Sequence, residues 1–211
     1  MNSYAIADLD QTAIELIRSG DHAAFASLVE SYQRPVYNLC YRLLGNTSEA
    51  EEATQETFLR AYAKRSSHDP SRPMRTWLFS IAHHYCIDRL RRRRLTWLSL
   101  EDEPEPDAVS WRGDAPSPED AALARERANY LQALVSSLPS RNREVLVLRY
   151  WCDLSYDEIA QTTGTTVSAV KSRLHRARTQ LGDLVVLAEK GMNRSLRSVR
   201  VAAVEPAIHP V

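Results

Sequence analysis

Glycine is scarce in this chain, with six residues in 211, and strand-like alternation of apolar and polar residues is nearly absent. Both shortages argue against a sheet-rich fold, since half-buried strands need period-two patterning and glycine-bearing turns. Cysteine is rare as well. Cys40, Cys86 and Cys152 are far apart in sequence and form no CxxC pair, so reduced, buried thiols are expected rather than a disulfide framework. No apolar run approaches the roughly 18–20 residues needed to span a bilayer, and no membrane insertion is expected. Met1–Asp10 has no basic stretch followed by an apolar core, so no secretory leader is expected and the chain reads as cytoplasmic. No P-loop or HExxH motif occurs. His83, His84 and Cys86 lie within four residues of one predicted helix and cannot all face one ion. No metal and no cofactor is therefore expected.

Net charge is missing too, with 27 basic and 27 acidic side chains. The balance conceals blocks. Between Thr96 and Asp120 stand Glu101, Asp102, Glu103, Glu105, Asp107, Asp114, Glu119 and Asp120 against Arg112 alone. Basic side chains therefore exceed acidic ones on either side of this strip, a pattern more informative than the sum.

Apolar residues recur at three and four, the helical period. From Asp21, a predicted N-cap, the residues Phe25, Leu28, Val29, Tyr32, Val36, Leu39, Cys40 and Leu43 mark a core stripe. Pro35 is expected to kink or divide it, and Gly45 to end it. Ser48-Glu49-Ala50-Glu51 has the capping-box pattern at the start of a helix over about 48–64, with Ala50, Ala53, Thr57, Phe58 and Ala61 inward. Residues 65–73 read as a loop. A long helix follows over about 75–94, with Leu78, Ile81, Ala82 and Tyr85 along one side. Periodicity then stops in a proline-rich acidic stretch. It resumes with Ser117 as N-cap and Pro118 at the first helical position, followed by Leu123, Leu131, Leu134, Val135 and Leu138. Pro139 should end that helix and Ser140 cap the next, which turns Val145, Leu146 and Leu148 inward. The fold class expected is all-α: two small helical domains, 10–95 and 118–187, joined by a flexible acidic linker over 96–117. Residues 188–211 read as a mobile tail. Two domains on a tether let one chain grip two places at once.

The second domain carries the clearest chemistry. Ser155-Tyr156-Asp157-Glu158 is a capping box, Gly164 marks a tight turn, and Thr166 caps a last helix running to about Leu187. On that helix Val170, Leu174, Ala177 and Leu181 share one face, while Lys171, Arg173, Arg176 and Arg178 crowd together as bases. Two helices joined by a short turn, the second basic outward, form a helix-turn-helix that presents a helix to the major groove. Ser168, Lys171, Ser172, His175 and Arg176 make the base-reading face, and the amides at Thr166–Ser168 can hold a phosphate. In the first domain, Asp88-Arg89-Leu90-Arg91-Arg92-Arg93-Arg94 ends the long helix as a phosphate-binding surface or a solvated end. Trp77 and Tyr85, interleaved with Arg75, His83 and His84, suit unstacked single-stranded bases, although a tryptophan such as Trp77, taken alone, is more often a core residue than a stacking platform.

The chain resembles the extracytoplasmic-function (ECF) sigma factors, two-domain specificity subunits of bacterial RNA polymerase. The resemblance rests on residues 49–61 (Glu-Ala-Glu-Glu-Ala-Thr-Gln-Glu-Thr-Phe-Leu-Arg-Ala) and 75–82 (Arg-Thr-Trp-Leu-Phe-Ser-Ile-Ala), with Asp88-Arg89-Leu90-Arg91-Arg92. It extends to Leu138-Pro139, Arg143-Glu144-Val145 and the helix-turn-helix, in family order over most of residues 20–182. The resemblance implies that residues 10–95 are region 2 and 118–187 region 4. Gln55, Glu56, Phe58 and Leu59 would dock on the clamp coiled coil of the largest polymerase subunit, and the flap would be a second polymerase contact. Asp69, Arg72, Arg75, Trp77, His83, His84, Asp88, Arg89 and Arg92 would hold the melted −10 element, with a flipped base in the loop over 69–75. Thr166, Ser168, Lys171, Ser172, His175 and Arg176 would read the −35 duplex. The acidic linker would thread polymerase channels that otherwise take nucleic acid. An anti-sigma factor is an expected partner. The chain departs from the family pattern at Glu49, Glu52, Ala53 and Thr54, and at His84, where an asparagine is common.

A DNA-binding regulator without polymerase would explain residues 118–187 but not Gln55–Leu59 joined to Trp77 and the arginine run. A serine recombinase would need a nucleophilic serine on a mixed α/β domain, and the strand patterning for one is missing. No catalytic site is expected.

Overall fold

The computed structural model describes residues 11–97 and 118–191, and among these the chain forms eight α-helices and one 3-10 turn, with no strand. Helix α1 (Gln11–Ser19) precedes the first predicted stripe and buries Ile14 and Ile17. Gly20, at φ 96°, reverses the chain. Asp21 then caps α2 (His22–Leu44), its carboxylate accepting from the Ala24 amide at 2.7 Å. Pro35 lies inside α2 without dividing it. The missing amide costs one hydrogen bond, while Tyr32, Val36, Leu39, Cys40 and Leu43, all buried, hold both sides of the proline against the core. Gly45 ends the helix in the left-handed conformation, its amide donating to the Tyr41 carbonyl at 2.8 Å.

Helix α3 (Thr47–Lys64) begins differently from expectation. Its cap is Asn46, whose side chain accepts from the Glu49 amide at 2.9 Å. With the cap set two residues earlier, Ser48 sits inside the helix and its capping box does not form. Ala50, Ala53, Thr57, Phe58 and Ala61 are buried as predicted, the small residues letting α3 lie close to its neighbours. A 3-10 turn (Arg65–Ser67) and a loop lead to α4 (Met74–Trp97), which runs a few residues past its expected end.

In the second set, α5 (Pro118–Ser136) exposes residues 123–129 and reaches the core only from Leu131 onward. Leu123, expected inward, is 38% exposed for that reason. Helix α6 (Ser140–Tyr150) follows Pro139, which makes no side-chain cap bond, and Ser140 is its first residue rather than its cap. Arg143 satisfies carbonyls at the end of α5, donating to that of Leu138 at 3.1 Å and to that of Ser136. Helix α7 (Tyr156–Thr163) has the full Ser155–Glu158 capping box and ends at the left-handed Gly164. Helix α8 (Val167–Gly191) is capped by Thr166, which accepts from the Ala169 amide at 3.2 Å. It takes in residues 188–191 of the expected tail. The linker is expected over 96–117; its first two residues belong to α4, and residues 98–117, with Ser117, and the tail from 192 lie outside the described residues.

The helices α1–α4 and α5–α8 pack against each other, and their buried side chains form one continuous cluster. The three free, buried cysteines lie within it. A hydrogen bond to Cys40, then burial, holds the Cys86 thiol well above its usual range; burial does the same for Cys152.

Candidate nucleic-acid interface

On α8 the apolar stripe fixes which side chains face out. Val170, Leu174 and Ala177 are buried. Thr166, Ser168, Lys171, Ser172, His175 and Arg176 are exposed along the first three turns. Lys171 lies 5.8 Å from the Tyr156 ring centre, and Arg176 bonds only back to its own helix, at the Ser172 carbonyl, 3.3 Å away. This is an open, cationic, hydrogen-bonding face at the amino end of a helix behind a tight turn. Its geometry can place donors on base edges and amides on a phosphate.

The other two bases of α8 turn away from that face. Arg173 pairs with Glu144 of α6 at 3.1 Å, its side chain only 19% exposed. Arg178 donates to the Tyr150 hydroxyl at 2.8 Å. They brace α8 against α6 rather than extending the groove-facing surface.

The single-strand set on α4 and its preceding loop divides in the same way. Asp69 shapes its own turn, accepting from the Ser71 amide at 3.0 Å and hydroxyl at 2.7 Å; these bonds hold its carboxyl below the usual range. Arg72 stands 3.6 Å from the same carboxylate, and both side chains are exposed. His84 is exposed, with Nδ1 2.6 Å from the Ser80 carbonyl. Asp88 pairs with Arg91 at 3.5 Å, and Arg92 is exposed. Arg75 and His83 instead face the second set of helices. Arg75 is 3.8 Å from Glu158, and His83, buried, is 3.1 Å from Glu144. Trp77 is half-buried, its ring edge-on to the buried His68 at 5.0 Å. Burial pulls the His68 pKa below its ordinary value. Trp77 therefore has a packed side and an open side.

The arginine run is partly neutralised from α3. Arg89 bridges Glu52 at 2.6 Å and Glu49 at 3.3 Å, and Arg93 reaches Glu49 at 3.0 Å. Tyr85 adds a bond to Glu52 at 3.2 Å. The bond from Arg89 holds the Glu52 carboxyl below its usual range, and that same bond raises the Arg89 pKa. The two glutamates that depart from the family pattern thus pin α4 to α3.

The residues expected to dock on polymerase lie along the middle of α3. Gln55 is exposed, Glu56 pairs with Arg60 at 2.6 Å, Phe58 is buried and Leu59 is 66% exposed. Gln55, Phe58 and Leu59, with His22, Phe25, Val29 and Tyr62, border an open, mostly apolar groove between α2 and α3, which Glu56 does not line.

Sequence reasoning missed the contact of Thr76 on α4 and missed Glu144 and Glu158 as partners of that helix. Glu158 was legible only as a capping residue, and nothing in the spacing of the other two gives their contacts away. Among the described residues, no group of His, Cys, Asp and Glu could hold a metal ion, and no helix is long and apolar enough to cross a membrane.

Residues 28–96 match the family model Sigma-70 region 2, and residues 128–181 match Sigma-70, region 4. The chain is 37% identical over 172 residues to the ECF RNA polymerase sigma factor SigW of Bacillus subtilis, covering 80% of this chain and 92% of that protein. It is 38% identical over 171 residues to the ECF RNA polymerase sigma factor SigE of Mycolicibacterium smegmatis, covering 78% of this chain and 64% of SigE. Among solved structures it resembles CnrH in complex with the cytosolic domain of CnrY, at a TM-score of 0.63 and 26% identity over 84% of this chain and 97% of that one.

Proposed function

Since this chain belongs to the ECF sigma factors, we propose that it grips promoters at two points. Region 4 reads −35 duplex through Thr166, Ser168, Lys171, Ser172, His175 and Arg176. Region 2 holds the melted −10 strand along α4 and the loop before it, through Asp69, Arg72, Arg75, Trp77, His83, His84, Asp88, Arg89 and Arg92. The groove beside Gln55, Glu56, Phe58 and Leu59 takes the clamp coiled coil of polymerase. The observation that carries this reading is the exposed, unobstructed face of α8, set behind the capped α7 and the left-handed Gly164.

The protein acts in the cytoplasm, beside the polymerase it directs, and has no catalytic site of its own. It changes where RNA synthesis starts by contact and strand capture. A protein partner of the anti-sigma type holds it inactive; the relative CnrH was solved with the cytosolic domain of CnrY bound. The test is in vitro transcription with core polymerase and this protein on a random promoter library. Initiation at a family of sites with common −35 and −10 sequences supports the reading. Absence of any start site with well-folded protein overturns it.

A further inference from the structure

Ser80, His84 and Asp88 recur every fourth residue along α4, a spacing that puts them on one face of the helix. The Ser80 hydroxyl donates to the Trp77 carbonyl at 2.7 Å. Its proton is therefore taken up within the helix, and its oxygen has only lone pairs to offer a ligand. His84 is exposed, with Nδ1 2.6 Å from the Ser80 carbonyl. A carbonyl can only accept, so Nδ1 carries the ring proton and donates. In the neutral imidazole Nε2 is then an acceptor. The ring also stands edge-on to that of His83, with centres 5.4 Å apart, a second restraint on its orientation. Asp88 adds a carboxylate, its side chain 48% exposed, with Arg91 at 3.5 Å. The three residues make a stripe that offers acceptors and no donor of its own, leading into the arginine-rich end of α4.

Such a stripe cannot hold a phosphate, which is itself an acceptor. Deoxyribose lacks the 2′-hydroxyl, so the donors along a DNA strand belong to its bases. Adenine, cytosine and guanine each carry an exocyclic amine. Thymine has none, and its one donor, the ring N3–H, is flanked by two carbonyls that would face the stripe.

We propose that Ser80, His84 and Asp88 form a base-reading stripe that selects amino-bearing bases and rejects thymine. This rests on the reading of α4 as the −10 strand interface and adds Ser80 to it. An asparagine at position 84 would offer a donor and an acceptor together and so could meet any base edge. His84, with Nδ1 tied to Ser80, offers the acceptor alone. The departure from the family pattern at this residue therefore narrows the choice of base.

The test is transcription with core polymerase on a library randomised across the −10 element, at about pH 8 to keep imidazoles neutral. The full chain is compared with His84→Ala and with Ser80→Ala/His84→Ala. One neutral hydrogen bond changes affinity by about two- to tenfold. The parent is expected to disfavour thymine by about that factor at one or two −10 positions. His84→Ala should bring thymine towards parity there, and the double variant should flatten the preference further. If the half-buried Ser80 position melts the double variant, His84→Ala, at an exposed position, carries the comparison. A second measurement needs only the parent. At the position where thymine is most disfavoured, the selected base is replaced by its analogue without the amine: purine for adenine, 2-pyrimidinone for cytosine, hypoxanthine for guanine. Open complexes should weaken by about two- to tenfold. Base profiles shared by the parent and a folded His84→Ala overturn the stripe and leave the strand reading of α4 standing. Analogues that bind like the natural base, or a His84-dependent position that favours thymine, overturn it as well. Absence of any start by the parent overturns the strand reading, and the stripe with it.

Discussion

Arg173 and Arg176 stand three residues apart on α8 and should behave as different kinds of residue. Arg173 and Glu144 are 3.1 Å apart, with side chains 19% and 10% exposed. Removing one member of a well-buried pair costs about 3–5 kcal/mol, because the other charge is stranded. Glu144 keeps His83 at 3.1 Å and the pair is not wholly dry, so Arg173→Ala should cost about 2–3 kcal/mol. For a chain of this size, each kcal/mol moves Tm by about 2–4 °C, so a fall of about 5–10 °C is expected. Arg176 is exposed and bonds only to its own helix. Its replacement by alanine should change stability by less than about 0.5 kcal/mol. It should instead weaken duplex binding by about 1–3 kcal/mol, the range for a bidentate base contact. Circular dichroism melts give the first quantity. Fluorescence anisotropy on a −35 duplex selected by library transcription gives the second. If Arg173→Ala melts like the parent and weakens the duplex as Arg176→Ala does, the division of α8 into bracing and reading arginines is wrong.

Leu59→Ala should leave Tm within about 2 °C, since the side chain is 66% exposed and surface changes are small. It should weaken capture by core polymerase by about 1–2 kcal/mol, the order of burying a large aliphatic side chain; equal affinity in a pull-down titration would exclude Leu59 from the dock. Trp77→Ala should cost about 2 kcal/mol of stability, less than the ~3–5 kcal/mol of a fully buried aromatic, because one side of the ring is open. It should also slow strand opening, read by permanganate reactivity at temperatures where the variant is folded, and normal opening would make Trp77 a packing residue only. Burial pushes the Glu158 carboxyl up, but the bonds from Thr76 and Ser155 and the nearby Arg75 hold it below its ordinary value. The stability it lends is therefore complete above the ordinary carboxylate pKa of about 4.3. It is lost as pH falls through the lowered folded-state value. Melts taken from neutral to acidic pH should fall more steeply for the parent than for Glu158→Gln, and parallel curves would refute this.

The elements themselves were legible where a local rule decides them. The Ser155–Glu158 capping box, Gly164 and the Thr166 cap each satisfy backbone groups within a few residues, so the helix-turn-helix could be read directly. The inward faces of α3 and α8 followed from the 3.6-residue period alone. A local rule misled where two candidates competed: Asn46 took the cap that Ser48 could have supplied; of the two outcomes expected at Pro35, division of α2 is the one that does not occur. Helix α1 was overlooked, although Ile14 and Ile17 stand at helical spacing.

The sequence by itself determined the helical class, the family and the face of α8 that looks outward, because periodicity, caps and turn residues act over one or two turns of chain. Only the tertiary structure decided which bases are available. Arg173, Arg178, Arg89 and Arg93 look like Lys171 and Arg176 in sequence, yet each meets an acid or a hydroxyl from a different helix. It also decided that Glu144 and Glu158 close on α4, a contact across some 60 to 80 residues of chain. A charge is free or paired according to what packs beside it, and spacing along one helix carries no record of the side chains on another.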